Sequence, residues 1–413
     1  ALITCADIIR NEPIIQENFA QFQVSVTKKL SSERMANKPH QDELSKVYVI
    51  DGLLELMLSL SIPSKFDSRI AACECIKSYL GNHSTIRDHF LRRAIDGHIN
   101  DIDKTPNFLT ILLQPLINQN PPDPYRHWFA GVIFFHLIYQ DPNTKKLAMM
   151  LTEGDAMSGE EVITCLQSLT GNLLSGVKIA IDERILVGYL MLLCGWLFED
   201  PDGVNDLLGE ASHLQGLIQV VLDQTFNSLI VQGLSSMLLG ILYEFSTRDS
   251  PVPRTTMHQI LVSQLGRDKY IDRLSNLRSH TLFRDFEILP QNLSSAVAGA
   301  LPEVFFDKLF VEFSKDNFCR ILRALDRSPE YEASFIINGV QKGISREMVD
   351  TLRSQLENKS KMLEDLQEKF NHLERRRDLE QADYRKSKSN AEMELSRIKQ
   401  INESLQKQHI LEV

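Results

Sequence analysis

The chain has 413 residues, 45 Lys+Arg against 55 Asp+Glu for a formal net charge of −10, 43% hydrophobic residues and 8% aromatic ones. That balance supports a large buried core and excludes a disordered, collagen-like or disulfide-scaffold chain, and the acidic surplus argues against a nucleic-acid binder. Six cysteines with no framework spacing fit reduced thiols in the cytosol, so the Asn-x-Ser matches at Asn82, Asn292, Asn358 and Asn402 are not read as glycan sites.

The chain opens at Ala1 inside helical-looking sequence, without Met or a signal peptide, which leads us to expect a fragment lacking upstream residues. Residues 1–343 read as helices throughout. Apolar helices are predicted over 51–60, 67–80, 127–139, 182–198 and 229–245, separated by polar turns, with no hairpin alternation and no β-α-β rhythm. The longest apolar stretch, 185–198, has 14 residues, short of the roughly 18 or more that span a bilayer, and reads as a buried helix.

A repeat underlies this pattern. Asn11 through Phe19 aligns with Asn82 through Phe90, and the same frame fits Asp141 through Met149 and Asp200 through Leu208. Each copy starts on Asn or Asp just past an apolar helix, where such side chains cap the next helix and tolerate turn conformations. The starts lie 71, 59 and 59 residues apart, and a further step of 45 links 192–197 to 237–242. Small residues (Ala71, Ala72, Ala130, Gly131, Gly195, Gly240) mark places where helices would approach closely. Helical units of this length predict an all-α fold, an armadillo/HEAT-like α-solenoid.

The chain changes character near residue 343. From Ile344 to Val413 there is no Gly or Pro, and 14 Lys+Arg balance 14 Asp+Glu, so the whole net charge sits on residues 1–343. One heptad register runs from 349 to 405, with Val349, Leu356, Leu363, Phe370, Ile398 and Leu405 at a and Leu352, Leu366, Leu373 and Ile401 at d. Its middle is polar, from Arg377 to Glu394. A 3.5-residue apolar repeat stays on one face only when helices supercoil, which predicts a coiled coil whose strand number the polar middle leaves open, with a parallel dimer as the default. The expected organisation is a head over 1–328, a linker over 329–343 and a coiled coil over 344–413.

No phosphate loop, dinucleotide fingerprint, nucleophile elbow or zinc helix motif occurs. Asp101-Ile-Asp103-Lys-Thr105 matches the Asp-x-Asp-x-Thr loop of haloacid-dehalogenase-type phosphatases, but the preceding 94–100 is polar and no strand–helix alternation follows, so a solvated loop is expected. His83 and His89 are six apart, and Cys73 and Cys75 fall on opposite sides of a helix, so no metal is expected. Arg375, Arg376 and Arg377 lie between Glu374 and Asp378 and read as a solvated coiled-coil face; Trp128 and Trp196 read as core. No catalytic residue and no cofactor is expected.

Several segments then resemble the head of a Golgi vesicle-tethering family, the general vesicular transport factor. They are Trp128-Phe-Ala-Gly-Val-Ile-Phe-Phe-His136-Leu-Ile-Tyr-Gln-Asp141-Pro-Asn-Thr-Lys-Lys-Leu147, Val187-Gly-Tyr-Leu-Met-Leu-Leu-Cys-Gly-Trp196-Leu, Val231-Gln-Gly-Leu-Ser-Ser-Met-Leu-Leu-Gly240-Ile, Gln264-Leu-Gly-Arg-Asp-Lys-Tyr270 and Val304-Phe-Phe-Asp307-Lys-Leu-Phe-Val-Glu-Phe313. The resemblance covers roughly 120–320 well, and it implies an armadillo-like head on a long parallel homodimeric coil. It further implies a non-catalytic tether of ER-to-Golgi and intra-Golgi transport, cytoplasmic and peripheral on Golgi and vesicle membranes. Its partners would be a Rab-type small GTPase, SNARE proteins and coated-vesicle and Golgi membrane proteins, with membrane contact indirect. The competing expectation is an armadillo-type cytosolic or nuclear-transport adaptor that binds peptide motifs in its groove.

Overall fold

The computed structural model describes residues 1–27, 44–59, 66–100, 106–116, 123–154, 159–223, 228–287, 302–332, 335–337, 340–342 and 346–411. The chain forms two units, Ala1–Ala333 and Ser334–Val413. In the first, the order is α1 (Leu2–Ile9), α2 (Pro13–Phe19), β1 (Gln23–Thr27), β2 (Leu44–Tyr48), α3 (Val49–Leu58), α4 (Phe66–Leu80), α5 (Ser84–Asn100), α6 (Phe108–Leu113) and α7 (Pro124–Ile138). There follow α8 (Pro142–Met149), β3 (Thr152–Glu153), β4 (Ile163–Thr164), α9 (Cys165–Lys178), α10 (Glu183–Leu197), α11 (Pro201–Gly209), α12 (Ala211–Leu222) and α13 (Leu229–Phe245). The unit ends with α14 (Arg254–Ile260), a π-helical turn (Leu261–Leu265), α15 (Arg267–Ser279), α16 (Thr281–Arg284), α17 (Lys308–Leu322) and a 3₁₀ turn (Ala324–Asp326).

These helices group in threes. In α8–α9–α10 and α11–α12–α13 the third helix is the most buried of its group, in α5–α6–α7 the second and third are both largely buried, and α4, α7, α10, α13 and α15 pack side by side in that order. A second layer runs α6, α9, α12, and α5 packs on α8 outside it. The fold is therefore an all-α armadillo-like solenoid. Every residue from Ile185 to Leu197 of α10 and from Ile230 to Phe245 of α13 is buried, as expected for helices that are apolar all round.

Among the described residues, three two-stranded antiparallel ribbons were not read from the sequence. Gln23↔Tyr48 through Thr27↔Leu44 pair in one, Thr152↔Thr164 in the second and Phe335↔Lys342 in the third. Val24, Val26 and their neighbours do alternate, but the partner strand lies beyond residue 43, so no tight-turn signal joined the two runs. The third ribbon falls within the expected linker 329–343.

The junctions between units explain the repeat and correct its register. Asn11, Asn82, Gln140 and Glu199 take left-handed backbone conformations, with φ of 60°, 54°, 54° and 56°. The expected frame put Asp141 and Asp200 in this position; they are the following residue, the N-cap. Asp141 accepts from the N–H groups of Asn143 and Thr144, and Asp200 from that of Gly203. Proline decides the register: Pro13, Pro142 and Pro201 all occupy the first helical position, where a fixed φ and a missing N–H are tolerated.

Five residues past the first three of these positions stands a donor that closes the next junction. Gln16 donates to the carbonyls of Ser78 and Gly81, both at 2.8 Å. Arg87 donates to Leu80 at 2.8 Å and Tyr139 at 2.9 Å, and Lys145 to Phe198 at 2.9 Å. Gly81, Tyr139 and Phe198 each precede a left-handed residue, so one staple recurs three times. Lys145 is buried enough that its ammonium is pulled down to about 8, against the charges of Asp200 and Glu199. The fourth copy has Val204 at the donor position, and there Arg254 takes over, donating to the carbonyls of Tyr243 and Glu244.

Small residues do sit where helices meet. A Cβ added at Gly131 of α7 would lie 2.9 Å from the Gly188 carbonyl oxygen of α10, a backbone atom that cannot move without separating the helices. Gly131→Ala should therefore cost about 2 kcal/mol of stability in equilibrium denaturation. Gly171→Ala in α9, where a Cβ meets nothing within 4 Å, should raise stability by up to about 1 kcal/mol in the same measurement.

Candidate interaction surfaces

The exposed edge of the α7–α10–α13 stack is the face on which an armadillo adaptor would lay a peptide. Here residues 302–325 of the same unit cover it. The segment 302–307 crosses without helix or strand, its backbone held by side chains of the stack. The Tyr125 hydroxyl donates to the Pro302 carbonyl and accepts from the Val304 N–H at 3.2 Å; the Trp128 indole N–H donates to the Phe305 carbonyl at 3.0 Å; Arg184 donates to the Pro302 carbonyl at 3.0 Å. Trp128 thus acts as a donor as well as core, while Trp196 is fully buried.

The segment ends on Asp307, whose carboxylate is 3% exposed. Lys77 of α4 donates to one oxygen at 2.7 Å and His136 of α7 lies 2.9 Å from the other, which also caps α17 through the Leu309 N–H. Burial alone would raise this carboxyl; the Lys77 ammonium and the His136 ring outweigh it and hold it well below the usual carboxylate range. From there α17 lies along the stack. Phe310 packs on Phe135 at 6.0 Å and Phe313 on Phe198 at 5.0 Å, while the Tyr270 hydroxyl donates to the Ile321 carbonyl at 2.5 Å. Sequence reasoning picked out the 304–313 segment by resemblance, but not that Tyr125, Trp128, His136 and Lys77 converge on it. Those residues are about 170 to 230 positions away, and nothing local signals the pairing.

The second unit is dominated by α18 (Arg346–Leu411), a single helix of 66 residues, after β5 (Phe335–Ile337) and β6 (Val340–Lys342). The seam residues Leu363, Leu366, Phe370, Leu373, Ile398, Ile401 and Leu405 all lie on it and are all about half to two-thirds exposed. Val349, Leu352 and Leu356 lie on the helix, with side chains outside the described residues. Exposed apolar residues off the seam, which the heptad reading missed, include Met362, Leu379, Met393 and Leu395. Arg376 pairs with Glu380, and Arg377 with Glu374 and Asp378, in a solvated charge run.

The remaining singled-out residues scatter. Asp101, Asp103 and Thr105 lie outside the described residues. His83 accepts from the Ile86 N–H at the start of α5, His89 is exposed, and Cys73 and Cys75 are buried thiols that burial pushes up, Cys75 to about 11. Among the described residues there is no group of His, Cys, Asp and Glu fit to hold a metal, and no helix long and apolar enough to cross a membrane.

A family model described as "Uso1 / p115 like vesicle tethering protein, head region" matches residues 12–325, three quarters of the chain and nearly all of the solenoid. The chain belongs to this family. It is 24% identical over 373 residues to the intracellular protein transport protein USO1 of Saccharomyces cerevisiae, covering 80% of this chain and 21% of the relative. It is also 24% identical over 331 residues to the general vesicular transport factor p115 of Bos taurus, covering 79% and 31%. A crystal structure of Uso1-2 superposes with a TM-score of 0.66 at 25% identity, over 79% of this chain and 49% of that one. The chain thus spans a fifth to a third of the length of these curated relatives.

The buried Asp307 pair generates the test for this site. Asp307→Asn leaves Lys77 buried without its counter-charge and should cost about 3 kcal/mol, partly restored by Lys77→Met in the double variant. Because the folded carboxyl is depressed, it contributes stability above the unfolded pKa near 4 and loses it as pH falls below that value. Wild-type stability should drop more steeply than that of Asp307→Asn as pH is lowered from about 4 in denaturant titrations.

Proposed function

We propose that this protein is a non-catalytic vesicle tether of ER-to-Golgi and intra-Golgi transport, peripheral on Golgi and vesicle membranes through protein partners. It binds a Rab-type GTPase, SNARE proteins and coated-vesicle components, and it holds a vesicle before fusion as a homodimer joined along α18. The observation that carries this reading is the order of parts: a tethering-family head over 12–325, followed by a helix whose apolar seam stands open. A 66-residue helix reaches about 100 Å at 1.5 Å per residue, and two linked heads make attachment bivalent, so modest individual contacts hold a large cargo. The adaptor alternative loses support because residues 302–325 fill the part of that face running along α7, α10 and α13, where a peptide spanning the repeats would lie.

Two measurements test the reading. Sedimentation of the full chain should give a dimer, and Leu363→Glu/Leu366→Glu/Phe370→Glu should give a folded monomer; a monomeric wild type defeats the dimer. Pull-downs should retain early-secretory Rab proteins in the GTP-loaded form and lose at least tenfold in the GDP-loaded form. Equal retention of both forms, or of neither, by the dimer defeats the tether.

A further inference from the structure

Beside the 302–307 segment the same face of the solenoid stays open. A cleft of about 640 Å³ lies between the starts of α10, α13 and α16, its lining including Asp182, Glu183, Arg184, Leu229, Glu303 and Phe305. Its charges sort by what they already bind. Arg184 grips Asp182 with two N–H groups, at 2.8 and 2.5 Å, donates to the Pro302 carbonyl, and stacks 5.1 Å over the Tyr125 ring. Burial would raise Asp182, and the Arg184 bonds more than offset it, so this pair is internally neutralised. Glu183 and Glu303 have no ion-pair partner among the described residues, and Leu229, 44% exposed, and Phe305 add apolar surface to the same cleft.

We infer that this cleft docks an extended peptide that alternates basic and apolar side chains, laid alongside residues 302–305. Two independent features support that occupant. The first is continuity: Phe305 and Arg184 belong both to the cleft and to the contact in which Tyr125, Trp128 and Arg184 bind the main-chain groups of 302–305, so the neighbouring surface already recognises peptide backbone. The second is charge complementarity. Lysine or arginine side chains reach Glu183 and Glu303 while intervening apolar ones cover Leu229 and Phe305, and the net charge of −10, all carried by residues 1–343, favours approach of a cationic partner. This inference stands apart from tethering and holds whether or not α18 dimerises.

The test uses the full chain and a fluorescein-labelled, acetylated and amidated decapeptide of alternating Lys and Leu, read by fluorescence anisotropy. Saturable binding is expected, with a Glu-Leu counterpart showing none. Glu183→Lys/Glu303→Lys should weaken it at least tenfold, while the equal charge change Asp7→Lys/Glu12→Lys on α1 and before α2 leaves it within twofold. Should the double variant unfold by circular dichroism, Glu303→Lys alone, on an exposed side chain, carries the same expectation at threefold or more. Absence of saturable binding, equal loss in both double variants, or no loss in either overturns the site.

Discussion

The last carbonyls of α4, α7 and α10 lie at partly buried junctions, where hydrogen bonds from side chains replace bonds to water. An unmet buried carbonyl costs on the order of 1–3 kcal/mol, so a stack of such helices requires a donor at every junction. The molecule meets this with one recurring device: a left-handed residue, a cap, and a side chain five positions on that reaches the end of the next central helix. Gln16, Arg87 and Lys145 do this with three different chemistries at one structural position. What repeats is the geometry of the bond rather than the residue.

The same requirement shapes the end of the head. Where the staple lapses at Val204, Arg254 satisfies the end of α13, and its guanidinium stacks 4.1 Å over the Tyr243 ring. Glu244, almost wholly buried, then draws Arg320 and Arg327 from the last helix and its following turn. Together with Asp307 at the other end of α17, these pairs fasten residues 302–327 across three units. That covering segment converts an open solenoid face into core, and it leaves the cleft beside Glu303 as the open part of that face among the described residues.

Much of the fold was legible. Apolar stretches bounded by polar turns gave the central helices within a few residues, and the Asn/Asp periodicity gave the unit boundaries to within one. The one-residue slip at Asp141 and Asp200 arose because Asn and Asp serve in both roles, left-handed turn and cap; the proline at the first helical position is the sharper marker. The ribbons were missed because long-loop strands leave only weak alternation. The convergence on residues 302–307 had no sequence signal at all, since Trp128 and Tyr125 are equally at home as plain core.

By itself, the sequence determined the helical periods, the caps, small residues such as Gly131 where helices approach and the long helical run of α18. These depend on neighbours within a turn or two, or on a repeat, and composition encodes both. Tertiary structure alone decided which buried polar groups meet. Lys77, His136 and Asp307 share one site because burial in a common face makes each the others' cheapest partner, and that burial exists only once the units have stacked.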